Sequence, residues 1–225
     1  MCLIVAAWRV HPDWRLMVAA NRDEFHGRPA SPAGFWDDRP HVLGGRDLEA
    51  RGTWMAVSRA GRFAAVTNYR GAREPSAAES RGALVTRFLD SDAAAKDYVA
   101  GVVERQSSYS GYNLLACDGT ELWWTSNRDS APRRLEPGYY ALGNLLLDSA
   151  DVLPLKQRAR ELVETAPAVE TFFSLTASAR IVNAHYGTRC STVCMIGNTI
   201  RYAERAFAPD GAEGETLYFE LSAQA

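Results

Sequence analysis

Two apolar runs near the amino end, Cys2–Val10 and Arg15–Ala20, flank the turn cluster His11-Pro12-Asp13-Trp14, and this spacing dictates a buried β-hairpin. The first run is apolar at consecutive positions, the pattern of a strand covered on both faces. Proline presets φ and aspartate bonds its own backbone, so the hairpin is expected to close at Pro12-Asp13. In that register Val10 faces Arg15 and Cys2 faces Asp23, and a slip of one residue would exchange the partner. The second run ends in four polar residues, Asn21-Arg22-Asp23-Glu24, which places a carboxylate and a guanidinium beside the chain start.

That placement gives Cys2 a chemical reading. A small second residue is what the methionine-removing aminopeptidase accepts, so Cys2 can become the first residue and carry both a thiol and a free α-amine. The amine has an ordinary pKa of about 7.7–8.0, suited to a base working near neutrality. A nucleophile and its own base then need no histidine. Asp23 is expected to orient the amine and Arg22 to favour the thiolate. Adjacent strand residues point to opposite faces, so both reach Cys2 only where the strand has bulged or ended. If one alone faces it, Asp23 takes the amine and Arg22 a supporting place. The competing reading is an ordinary packed cysteine, since free cysteine is among the most buried residue types.

Further along, Phe25 to Arg51 reads as loop, with Pro29, Pro32 and Pro40. Thr53–Ser58 with Arg62–Thr67, and Asn113–Cys117 with Glu121–Thr125, read as two more hairpins turning at Ala60-Gly61 and Asp118-Gly119. Helices are predicted over Arg81–Leu89, with Ser80 as cap, and over Ala93–Arg105, Leu155–Glu164 and Glu170–Ala179. Strands are predicted at Tyr139–Leu142, Ser191–Ile196, Thr199–Glu204 and Thr216–Leu221. The pattern is α+β, with antiparallel sheets covered by helices.

Several short motifs occur in a fixed order: Met1-Cys2-Leu3-Ile4, Asn21-Arg22-Asp23-Glu24, Gly44-Gly45-Arg46-Asp47, Gly52-Thr53-Trp54, Thr67-Asn68-Tyr69-Arg70, Tyr186-Gly187-Thr188-Arg189 and Ser191-Thr192-Val193. With them the chain resembles the NRDE family, also called the transport and Golgi organisation protein 2 family, over nearly its whole length. The family is similar in pattern to N-terminal-nucleophile hydrolases of the choloylglycine hydrolase and penicillin V acylase kind. The resemblance implies one domain over residues 1–225, a four-layer αββα sandwich of antiparallel sheets, and amide hydrolysis or acyl transfer on a small acylated substrate. It also implies site roles. Cys2, Arg22 and Asp23 form the nucleophilic centre, Asn68 and Asn144 supply oxyanion donors, and Arg189 is a late arginine near the nucleophile. Arg46, Asp47 and Tyr69 are candidate substrate contacts. Each has a plainer reading: turn asparagines before or after glycine, a surface ion pair, a glycine-shaped turn. Asn113 rivals Asn144 but begins a strand. Through its relatives the family is also tied to intracellular haem movement. The alternative function is therefore non-catalytic binding and carriage of a small ligand, with haem as possible cargo and Cys2 or a loop histidine, His26 or His41, on iron.

Composition narrows the classes. A length of 225 residues suffices for a substantial core in one globule. The net charge of −2 provides no electrostatic reason to expect nucleic acid as a partner. With only Lys96 and Lys156 in the chain, a lysine Schiff base is an unpromising centre. Cys2, Cys117, Cys190 and Cys194 lack zinc-type spacing and are expected to be reduced, and no metal is expected. No basic leader precedes the first apolar run and no stretch approaches the ~20 apolar residues of a span, so a cytoplasmic protein without a membrane span is expected.

Overall fold

The computed structural model describes residues 2–71, 77–165 and 168–222. Their contacts divide the chain into two compact units, each built on one antiparallel sheet.

The first unit holds the chain start, residues 137–143 and residues 147–225. Its strands are β1 (Leu3–Trp8), β2 (Trp14–Phe25), β10 (Gly138–Leu142), β11 (Tyr186–Gly197), β12 (Thr199–Phe207) and β13 (Glu213–Ser222), in the order β10-β1-β2-β11-β12-β13. One face is covered by α3 (Leu153–Thr165) and α4 (Val169–Ala177). Leu3, Val5, Ala7, Met17, Ala19, Val193 and Met195 alternate onto that face and pack with Val163, Phe172 and Leu175. The intervening residues Ile4, Ala6, Trp8, Val18 and Cys194 are buried as well, so the central strands carry apolar side chains on both sides.

The second unit, residues 30–136 with 144–146, is a seven-stranded sheet in simple sequence order. Its strands are β3 (Ala30–Trp36), β4 (Arg39–Asp47), β5 (Met55–Ser58), β6 (Phe63–Asn68), β7 (Tyr112–Cys117), β8 (Leu122–Ser126) and β9 (Arg133–Leu135). Helices α1 (Gly82–Leu89) and α2 (Ala95–Glu104) contribute Leu84, Val85, Phe88, Val99 and Val102 to a core against Val42, Ala64, Leu114 and Ala116. The hairpin at Asp118-Gly119 forms as expected, with Gly119 at φ 97° and the Asp118 carboxylate accepting the N–H groups of Thr120 and Glu121. Gly52 permits a close crossing: a Cβ there would lie 2.6 Å from the Gly82 carbonyl carbon.

Two sequence expectations are corrected. The span from Phe25 to Arg51 contains the hairpin β3–β4 rather than a loop. Pro32 is accommodated because β3 is an edge strand whose register shifts between Ser31 and Gly34, and Pro40 sits beside the second irregularity. The first hairpin closes differently as well. Leu3 pairs with Asn21 and Trp8 with Leu16, and the Arg9 N–H donates to the Arg15 carbonyl at 2.8 Å. Arg9 turns the chain with φ 51°, so Pro12-Asp13 lies inside a wider loop instead of forming its two central residues. The ladder is displaced by one residue, and continued one step it sets Cys2 beside Arg22 rather than Asp23.

Candidate active site

Cys2 lies just before β1, half-buried, while Cys117, Cys190 and Cys194 are buried. Its Sγ donates to the main-chain oxygen of Asp23 at 3.6 Å. Burial pushes the thiol up and the Asp23 carboxylate pushes in the same direction, while a hydrogen bond with the Asp23 backbone and, more weakly, Arg22 oppose them. The resting sulfur is therefore a neutral thiol at neutral pH.

The four polar residues that close β2 have separate tasks. Asn21 is buried: its Nδ2 donates to the Thr176 carbonyl at 2.9 Å and its Oδ1 accepts the Ser191 hydroxyl at 2.6 Å, tying β2 to α4 and β11. Arg22 is buried opposite Cys190 and shares the face that Cys2 extends. Asp23 is buried too, and its Oδ1 accepts the Thr188 hydroxyl at 2.6 Å. Because the Thr188 oxygen itself accepts the Ile181 N–H at 2.8 Å, its proton is committed to the carboxylate. Burial drives the Asp23 carboxyl up, and the Thr188 hydroxyl restrains the rise. Glu24 turns outward, accepting the Phe25 N–H at 2.9 Å.

The Tyr-Gly-Thr-Arg segment supplies the other wall. Tyr186 donates its hydroxyl to the Asp23 main-chain oxygen at 3.0 Å, the same atom that holds the Cys2 thiol. Gly187 lets the strand pass close to its neighbour, since a Cβ would lie 2.7 Å from the Ile181 oxygen. Arg189 is the extra residue of a bulge, between the pairs Thr188–Asp23 and Cys190–Arg22. The bulge sends its guanidinium back over the exit of β2, where Nη1 donates to the oxygens of Phe25 (3.0 Å), His26 (3.0 Å) and Arg28 (3.3 Å). In this structure Arg189 clamps the strand that carries Arg22 and Asp23.

Cys2, Arg22, Asp23 and Arg189 thus belong to one strand end of the first unit. The remaining expected site residues belong to the second. Asn68 ends β6 with an exposed side chain, and Asn144 donates its Nδ2 to the Asn68 main-chain oxygen at 2.6 Å. The Asn144 amide therefore holds the segment that presents Asn68. Asn113 is buried and bonded to Thr67 and to the Leu145 oxygen. Arg46 makes a two-pronged ion pair with Asp38, at 2.6 and 2.8 Å, and lies over the Trp36 ring. Asp47 caps a turn by accepting the N–H groups of Glu49 and Ala50. The Tyr69 N–H donates to the Gly111 oxygen. The two histidines expected in a loop are engaged, and His41 lies in β4: His26 Nε2 is 2.9 Å from the Asn183 oxygen and His41 Nε2 3.2 Å from Asp90. Tyr186 and Thr188 are the neighbours of Asp23 that residue-by-residue reading leaves without a role. Their motif was visible, but their partner Asp23 is more than 160 residues away.

Among the described residues no helix is long and apolar enough to cross a membrane. The fold is similar to that of a Caenorhabditis elegans N-acylethanolamine-hydrolyzing acid amidase ortholog, with a TM-score of 0.55 and 9% identity over 85% of this chain and 92% of that one. This likeness shows the α+β fold of N-terminal-nucleophile hydrolases, built on two antiparallel sheets with helices. In sequence, the chain is 30% identical to the Transport and Golgi organization 2 homolog of Mus musculus and 32% identical to that of Bos taurus, with both chains covered completely in each case. It is 38% identical to the Homo sapiens homolog over 66% of this chain and 59% of that one. The model of the family Transport and Golgi organisation 2 matches residues 1–180, and the chain belongs to that family.

Proposed function

We propose that the protein is a cysteine N-terminal-nucleophile hydrolase or acyl-transfer enzyme that cleaves the amide of a small acylated substrate, with Cys2 as nucleophile. The observation that carries this reading is the half-buried Cys2 thiol on the Asp23 backbone, beside two buried charged side chains, in the fold of an amide-cleaving enzyme. Burying charge is costly unless it does something, and such groups cluster at functional sites. Because burial keeps the thiol protonated, attack requires a base. No histidine is among the groups that dominate the thiol's surroundings, which favours the α-amine that Cys2 acquires once Met1 is removed.

In the proposed cycle the amine takes the thiol proton and sulfur bonds to the substrate carbonyl carbon, whose π electrons move to oxygen. Collapse of the adduct breaks the C–N bond, and the ammonium returns the proton to the leaving amine. Water, deprotonated by the same amine, then cleaves the thioester, or an acceptor amine takes the acyl group. Asp23, oriented by Thr188, is assigned to the ammonium, and Arg22 to charge on sulfur. Asn68 is proposed as an oxyanion donor on resemblance alone.

Intact mass should show loss of Met1, and wild type should turn over members of an N-acyl amide panel. Cys2→Ser should lose about 10³-fold or more in kcat, in line with removal of a nucleophile. Retained Met1, or equal rates in the two proteins, would sink the proposal. Asn68→Ala should lose about 10²–10³-fold. Haemin titration addresses ligand carriage: a saturable Soret shift abolished by Cys2→Ser would assign the thiol to iron instead.

A further inference from the structure

One oxygen atom, the main-chain carbonyl of Asp23, receives both the Cys2 thiol at 3.6 Å and the Tyr186 hydroxyl at 3.0 Å. A carbonyl oxygen has two lone pairs, so it can serve both donors at once, but each weakens its pull on the other. The hydroxyl is the stronger donor and the closer one. We propose that Tyr186 is a positioning residue for the Cys2 sulfur: by occupying the Asp23 oxygen, its hydroxyl loosens that oxygen's hold on the thiol proton and eases formation of the thiolate. This rests on Cys2 being the reacting group of the site.

The local architecture supports the role. The Tyr186 ring is fixed from outside by an edge-on contact with Phe25, with centroids 5.3 Å apart and planes at 76°. Tyr186 and Phe25 are also direct partners in the ladder between β2 and β11. The hydroxyl is thus delivered by a braced ring on a paired strand. Burial, with Cys2, Asp23 and Glu24 nearby, pushes the phenol well above its ordinary range, so it remains a donor wherever the thiol titrates. The charged side chains that bear on the thiol are the Asp23 carboxylate, which disfavours the thiolate, and Arg22, which favours it. Tyr186 acts through the main-chain oxygen that accepts the thiol proton, while the Asp23 backbone, which also hydrogen-bonds the sulfur, favours the thiolate. A hydrogen bond to the protonated form raises a pKa, so a donor that competes for its acceptor lowers it.

The test needs no substrate. Full-length protein is alkylated with iodoacetamide across a pH series, and the modified residue is located by peptide mass. Cys117, Cys190 and Cys194 are buried, which leaves the half-buried Cys2 as the most exposed of the four cysteines. Tyr186→Phe keeps the ring and its contact with Phe25, and should slow alkylation at pH 7.5 by about threefold, the scale of one modest hydrogen bond, while moving the profile to higher pH. Phe25→Leu, which disturbs packing and keeps the hydroxyl, should leave the midpoint in place. Site-specific 3-fluorotyrosine at position 186, a better donor, should move the midpoint downward and serves if Tyr186→Phe does not fold. An unchanged or lowered midpoint in Tyr186→Phe, an equal shift in Phe25→Leu, or no downward shift with fluorotyrosine overturns the proposal. The outcome is separate from the hydrolase reading. A shifted profile with undiminished turnover by Cys2→Ser would leave Tyr186 in its role and remove Cys2 as the nucleophile, and the reverse pattern would do the opposite.

Discussion

The two sheets bury polar side chains in different ways. In the second unit the buried polar groups are neutral, and several serve nearby main chain: Thr53 donates to the Gly45 oxygen, Ser126 to the Tyr112 oxygen, and Asn113 to the Leu145 oxygen. In the six-stranded sheet three buried side chains are of charged type, Arg22, Asp23 and Glu204, and among the described residues such burial occurs only there. A neutral hydroxyl on a carbonyl is ordinary structural carpentry. A carboxyl driven up by burial stands against stability, and its retention beside a thiol is the feature on which the proposed chemistry rests.

The sharpest way to break this contrast is Asp23→Asn. The amide keeps an acceptor for Thr188 but loses the charge, so turnover should drop on the order of 10²–10⁴-fold while the melting temperature at pH 7 holds or rises. The sign follows from the raised carboxyl. The folded state binds its proton more tightly than the unfolded chain, so the wild type loses stability as pH climbs from the ordinary aspartate range through the raised one. The advantage of Asp23→Asn should therefore shrink on acidification, and a variant that melts lower at every pH would make Asp23 a structural residue. Next in size, Arg189→Ala removes a guanidinium that serves three carbonyls. It should lower stability by about 2 kcal/mol in denaturant unfolding and reduce turnover by loosening the strand end that carries Asp23. Full stability in this variant would dissolve the clamp. The smallest effect belongs to the other sheet: Thr53→Val should cost about 1 kcal/mol and leave kcat unchanged.

How much of this was legible in the sequence depends on the range of the interactions. The hairpins β5–β6 and β7–β8, all four helices and the α+β class follow from local periodicity and turn residues. The first hairpin was legible as an element and misread in register, because loop length there is set by Arg9 in a left-handed conformation, which nothing in its side chain announces. The β3–β4 hairpin was hidden by its prolines, which an edge strand tolerates. At the site, Cys2 with Asp23 was legible from pairing of adjacent strands, though the contact runs to the aspartate backbone and Arg22 takes the opposed position. The positions of Tyr186 and Thr188 were not legible, because a bulge at Arg189 sets which face of β11 meets β2 across most of the chain. Asn144 was read as an oxyanion donor, and here its Nδ2 donates to the Asn68 main-chain oxygen, a contact that no local pattern announces.

The strand order has a consequence for biosynthesis. The meander β3 to β9 joins neighbours in sequence, so it can condense while the ribosome is still extending the chain. The pairing of β2 with β11 must wait for residues made more than 160 positions later. The nascent polypeptide therefore carries a thiol without its tyrosine, threonine and arginine companions, and any reactivity they confer switches on only once β11 has been made and paired.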